Sequence, residues 1–133
     1  MNQESKISGF QFKNPILTKL NYNINPEGLK KIEKIQTNIR VDNFLKEKKE
    51  ATVALNLKMG NEDTAFVLEI EMQSEFKWNK SFNANQIDNL LNQNAPALLL
   101  SYMRPLVSET TGYGFNSVML PFIDFSNNST NHE

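Results

Sequence analysis

Four stretches of the chain alternate apolar and polar residues with period two, the pattern of strands buried on one face. In the first, Ile16, Thr18, Leu20, Tyr22 and Ile24 fall on one side. Phe10 and Phe12 alternate just upstream, and a bend or bulge near Asn14 and Pro15 is expected to join the two parts. The second stretch sets Ile35, Thr37, Ile39 and Val41 against Gln36, Asn38, Arg40 and Asp42. The third sets Ala51, Val53, Leu55, Leu57 and Met59 against Thr52, Asn56 and Lys58. The fourth has Phe66, Leu68, Ile70, Met72, Phe76 and Trp78 on one side and Glu69, Glu71, Gln73, Glu75 and Lys77 on the other. Lys46 to Lys49 and Gly60 to Asp63 are short polar links that suit hairpins. The link from Asn25 to about Lys34 is longer, contains Leu29 and Ile32, and is expected to cross over the sheet.

After Trp78 the period changes. Asn83 and Gln86 have the spacing of a capping box, and Ile87, Leu90 and Leu91 follow at helical intervals. Asn94-Ala95-Pro96 is expected to interrupt, with Pro96 in the first turn of the next helix. Leu99, Tyr102, Met103, Leu106, Val107 and Thr110 then form one predicted apolar stripe, with a kink at Pro105 and a C-cap at Gly112. Of the run Leu98-Leu99-Leu100, one flank must leave that stripe. Residues from Val118 to Phe125 are read as an extended segment, and those from Ser126 to Glu133 as a frayed polar tail. The predicted fold class is α+β: a four-stranded antiparallel sheet followed by a kinked helix packed on one face, in a single domain spanning residues 1–133.

Composition narrows the function classes. At 133 residues, 39% hydrophobic and 22% charged, the chain can bury a real core. A net charge of -1 argues against a phosphate-binding surface and against nucleic acid as partner. No apolar run approaches the roughly 20 residues that span a bilayer, so no membrane insertion is expected. The start, Met-Asn-Gln-Glu-Ser-Lys, lacks the pattern of a signal peptide, and the absence of cysteine removes disulfides and thiolate chemistry. A cytoplasmic protein without cofactor or metal is expected. The one histidine, His132, lies in the polar tail, so no imidazole is placed to activate a nucleophile. Glu69, Glu71 and Glu75 alternate along a strand, where a charged face that keeps the sheet soluble explains them better than acid–base chemistry. The expectation is a binding protein and not an enzyme.

Three blocks carry a resemblance. The turn and strand start Met59-Gly60-Asn61-Glu62-Asp63-Thr64-Ala65-Phe66-Val67-Leu68-Glu69-Ile70 resembles a hairpin of SecB, the bacterial protein-export chaperone family. Asn94-Ala95-Pro96-Ala97-Leu98-Leu99-Leu100-Ser101-Tyr102-Met103-Arg104 resembles its helix start, and Leu120-Pro121-Phe122-Ile123-Asp124-Phe125 its closing segment. The blocks keep the family's order and approximate spacing between about Ile7 and Phe125.

The resemblance implies an ATP-independent holdase that takes unfolded polypeptides, preproteins or an aggregation-prone antitoxin, into apolar grooves. It also implies a homo-oligomer, dimer or tetramer. The groove positions it implies are Leu29, Ile32, Ile35, Ile39 and Val41, with Thr37 standing where the family has an apolar residue. Docking of the SecA motor is implied on acidic residues, for which Glu69 and its neighbour Glu71 are the candidates. Asn21 and Asn23 replace the strand-one carboxylates, and the sequence stops eight residues after Phe125, where the family continues with a further helix and an acidic tail. SecA binding is therefore expected to be weak or absent. The alternative is a non-catalytic adaptor of the same fold with closed grooves, which binds one folded partner.

Overall fold

The structure is a computed structural model and describes residues 9–114 and 116–128. Its sheet has five antiparallel strands: β1 (Phe10–Phe12), β2 (Ile16–Ile24), β3 (Ile35–Leu45), β4 (Glu50–Met59) and β5 (Phe66–Trp78). Strands β3, β4 and β5 form a meander, and β1 and β2 lie end to end along the other side of β5. The predicted first strand is thus present in two pieces. At the join the Ser74 hydroxyl donates to the Lys13 carbonyl, and Lys13 N–H donates to the Glu75 carbonyl at 3.1 Å.

One residue more on the first strand than on β5 is accommodated at that join, and a second at Thr18. Phe12 pairs with Phe76 but Ile16 pairs with Gln73, and the register shifts again between Leu17 and Lys19. Each extra residue reverses the face of all that follows. The expected face of Ile16, Thr18, Leu20, Tyr22 and Ile24 is corrected accordingly. Leu17, Leu20, Tyr22 and Ile24 stand opposite the core residues Met72, Ile70, Leu68 and Phe66, while Ile16 is turned away and exposed.

The inner strands follow their alternation. Ala51, Val53, Leu55, Leu57 and Met59 of β4 and Leu68, Ile70, Met72 and Phe76 of β5 are buried on one face. Each of these side chains larger than alanine contributes on the order of 2 kcal/mol relative to an exposed one. Asn43 takes positive φ inside β3, where the register shifts between Asp42 and Leu45, Lys49 does so in the β3–β4 turn, and the β4–β5 turn takes Gly60 to φ 89°. Buried Thr64 closes the latter turn. Its hydroxyl accepts from Asn61 N–H at 2.8 Å and lies 2.9 and 2.8 Å from the carbonyls of Asn61 and Phe66.

The helix covers the apolar face over β4 and β5. It begins as α1 (Ala84–Asn89), with both hydrogen bonds of the Asn83–Gln86 capping box at 2.8 Å. The expected interruption at Asn94-Ala95-Pro96 is instead a widening. Residues Leu90–Asn94 are π-helical, Ala95 N–H donates to the Leu90 carbonyl, and α2 (Ala95–Gly112) continues without a break. Pro96 has no N–H to offer and its ring crowds the preceding turn, and the wider turn accommodates both. Pro105 lies inside α2 on its exposed side.

The buried stripe of α2 is Ala95, Leu99, Met103, Val107 and Thr111, flanked by Pro96 and Leu100. It is rotated from the predicted one, so that Tyr102 is exposed and Leu106 and Thr110 are only half-buried. Leu98 is the leucine that diverges. The helix is capped by Tyr113 at φ −78°, not by Gly112. Residues 116–124 run on without regular structure, with Leu120 buried, to a single turn, α3 (Phe125–Asn128). The remainder of the polar tail, His132 included, lies outside the described residues.

Candidate binding groove

The link after β2 is anchored at its first half. Asn25 N–H donates to the Ala65 carbonyl at 2.7 Å, and the Asn25 amide donates to the carbonyls of Glu62 at 2.7 Å and Thr64 at 3.2 Å. Lys30 N–H donates to the Asp63 carbonyl at 2.9 Å, where Lys30 and Thr64 form a short parallel bridge. The link thus crosses from the β2 edge to the β3 edge along the β4–β5 turn. From Lys31 to Lys34 it makes no hydrogen bond or ion pair among the described residues.

Beyond the crossing, β3 presents Ile35, Thr37, Ile39 and Val41 toward the helix side of the sheet. The helix contacts mainly β4 and β5, so these four stay half-buried along the uncovered margin. The segment after α2 returns to the same margin. A cavity of about 510 Å3 opens there, with Ile35 and Thr37 on one side and Pro121 and Ile123 on the other. Phe122, next in the segment, is 78% exposed.

The sequence-predicted groove residues are therefore split. Ile35, Ile39 and Val41 share one margin, and Ile32 packs against the core at the end of the crossover. Leu29 stands apart, 92% exposed. Pro121 and Ile123 were not expected at the groove. Their only signal was an apolar run after a helix, and nothing in that run told where it would land.

On the opposite face, the candidate docking carboxylates are engaged within the sheet. The Asn56 amide donates to Glu69 Oε2 at 2.9 Å and to Glu71 Oε1 at 3.1 Å. Lys19 lies 3.4 Å from Glu69, Thr18 Oγ1 donates to Glu71 at 3.2 Å, and Arg40 lies 3.6 Å from Glu71 and 2.7 Å from Asp42. The side chains of Glu69 and Glu71 are only 20% and 15% exposed. The Asn56 hydrogen bond, followed by Lys19, holds the Glu69 carboxyl below its ordinary pKa. Asp42 chiefly, with Glu71, raises that of Arg40. No helix among the described residues is long and apolar enough to cross a membrane.

Comparison with known proteins places this arrangement. The first structural match is a SecB-like chaperone of Mycobacterium tuberculosis in complex with a ChAD peptide from the HigA1 antitoxin. Its TM-score is 0.69 at 12% identity, covering 90% of this chain and 95% of that one. A protein of unknown function from Streptococcus agalactiae also matches, with a TM-score of 0.49 at 17% identity, covering 85% and 97%. No curated protein matches the sequence. The family model described as preprotein translocase subunit SecB matches residues 17–131. The chain belongs to the SecB family.

Proposed function

We propose that this protein is an ATP-independent holdase that keeps unfolded or aggregation-prone polypeptides from associating, and that it does so in the cytoplasm. The observation that carries this reading is the uncovered apolar margin of β3. Ile35, Ile39 and Val41 are half-buried there, and Ile35, with Glu33, Gln36 and Thr37, lines a cavity walled on its other side by Pro121 and Ile123. A client segment laid along that margin buries apolar side chains on both sides, at about 25 cal/mol per Å2 removed from water. Several weak contacts along one chain then give avidity without demanding a sequence. The client is a preprotein or an antitoxin, the second by analogy with the SecB-like relative bound to an antitoxin peptide. The bonding of Glu69 and Glu71 to Asn56, Lys19 and Arg40 supports weak SecA docking, since a motor module competes with those partners. The chain acts as a homo-oligomer. Leu17, Leu20 and Ile24 on the free edge of β2 are each about 40% exposed, an apolar border suited to a second copy.

The test is suppression of aggregation of a chemically unfolded client, with circular dichroism as the control for folding. Ile39→Ser should retain the fold and weaken suppression, because it removes an apolar contact. The double variant Ile35→Asp with Ile39→Asp should abolish suppression, because a client laid along the margin would have to desolvate two carboxylates. Folded double variants that protect the client as well as the original chain would refute the groove.

A further inference from the structure

A second cavity, of about 900 Å3, lies between residues 30–34 of the crossover and the neighbouring ends of β4 and β5. Its lining includes Gln36, Lys58 and Glu69, which belong to the polar face of the sheet, so it opens on the side away from the helix. A shallower hollow, which shares Gln36, Lys58 and Glu69 with it, extends it toward Asn38 and Asn56. The two make one trough across the polar face.

The charge in this trough is unbalanced. Lys30, Lys31, Lys34 and Lys58 line the large cavity against the carboxylates of Glu33 and Glu69. Glu69 is already satisfied by Asn56 and Lys19. Lys30 has Asp63 at 4.0 Å and the charge of Lys58 acts on Glu69, but Lys31 and Lys34 form no ion pair among the described residues. The backbone of the same wall is open as well, since residues 31–34 make no hydrogen bond among the described residues. These residues belong to no strand, and their unpartnered N–H and C=O groups are free to pair with a peptide laid beside them.

We propose that this trough binds an acidic polypeptide segment in extended form, with client carboxylates meeting Lys31, Lys34 and Lys58 and client backbone pairing with residues 31–34. The proposal rests on the reading of this protein as a holder of polypeptides, and adds a charge preference on the face opposite the apolar groove. Charge complementarity selects an acidic occupant, and the free backbone selects a peptide over a phosphodiester. The chain's net charge of -1 and the engagement of Arg40 by Asp42 and Glu71 also disfavour nucleic acid.

The experiment is fluorescence anisotropy on the full chain at low salt. The probes are a labelled peptide of alternating Glu and Val, its Lys and Val counterpart, and a single-stranded oligonucleotide. The Glu peptide should bind at least about tenfold more tightly than either comparator, and added salt should weaken it. The double variant Lys31→Gln with Lys34→Gln should lose about tenfold in affinity for it, as two partly exposed ion pairs of ordinary strength imply. Both lysines are exposed and unpaired, so the variant should keep its circular dichroism and its protection of an uncharged unfolded client. Equal binding of the two peptides, tighter binding of the oligonucleotide, or an unchanged double variant overturns the proposal. Loss of the Glu preference while client protection persists refutes the trough alone. A wild-type chain that binds the Glu peptide yet protects no client refutes the holdase reading and leaves the acidic site standing.

Discussion

Gly28 sits where the crossover presses on the β4–β5 turn. A Cβ there would lie 1.9 Å from the Thr64 carbonyl oxygen and 2.8 Å from the Asn25 amide nitrogen, and the first of these is backbone that cannot swing aside. Gly28→Ala should therefore destabilise the protein by about 1–3 kcal/mol, the usual cost of forcing a group into filled space. Urea denaturation reads that loss. At Glu69 the sign follows from the lowered folded pKa. A carboxylate with a depressed folded pKa contributes stability that is fully present above its unfolded pKa and disappears as pH falls through the folded one. Asn56→Ala removes the largest cause of the depression. Its stability should consequently fall less steeply with acid below the ordinary glutamate range, which denaturation midpoints across that range will show. The residues of this network were visible in the sequence as one polar face, but not as bonded to one another. Alternation tells which face a side chain takes and says nothing about its neighbour on the next strand.

At the scale of elements, the sheet was the most legible part. Period two survives in β4, in β5 and in β3 as far as Asp42, because both sides of each strand do one job over that length. It misled in β2, where the extra residue at Thr18 shifts the register and a Thr between Leu17 and Lys19 gave no warning. The helix was legible in position but not in rotation. Tyr102 and Leu106 have the hydrophobicity of core residues, and only packing on β4 and β5 decides that Leu100 and Thr111 go inward instead. Pro105 offers a direct test at this scale. Its exposed ring leaves the Ser101 carbonyl without the amide that an ordinary residue would supply. Replacement by Ala restores that hydrogen bond at a helix-interior position and touches nothing in the core. Pro105→Ala should stabilise the chain by about 2 kcal/mol, after allowing for the greater freedom that Ala gives the unfolded state. Thermal unfolding provides the measurement, and a lower midpoint would show that the proline is relieving strain instead of causing it.

For the whole molecule, the pairing of β2 with β5 separates two parts of the chain by the history of their assembly. Met59 meets Leu68 across a tight turn, whereas Tyr22 must find the same Leu68 from the far side of two intervening strands and their links. Closing that long loop costs chain entropy before any contact is gained, so local pairings form first and distant ones last. The meander of β3, β4 and β5 is thus the early, slow-to-open unit. The β2 edge and the crossover attached to it form a late one, detaching and redocking while the rest stays folded. Native-state amide exchange should order the strands this way, with Asn21 and Asn23, which pair with Glu69 and Val67, losing protection well before Leu57 and Ile70. When β2 lifts away, Leu17, Leu20 and Ile24 become fully accessible and the crossover loses its anchor at Asn25. A polypeptide would then meet a wider opening than the resting molecule offers, with the rate of its capture set by how often one strand leaves the edge.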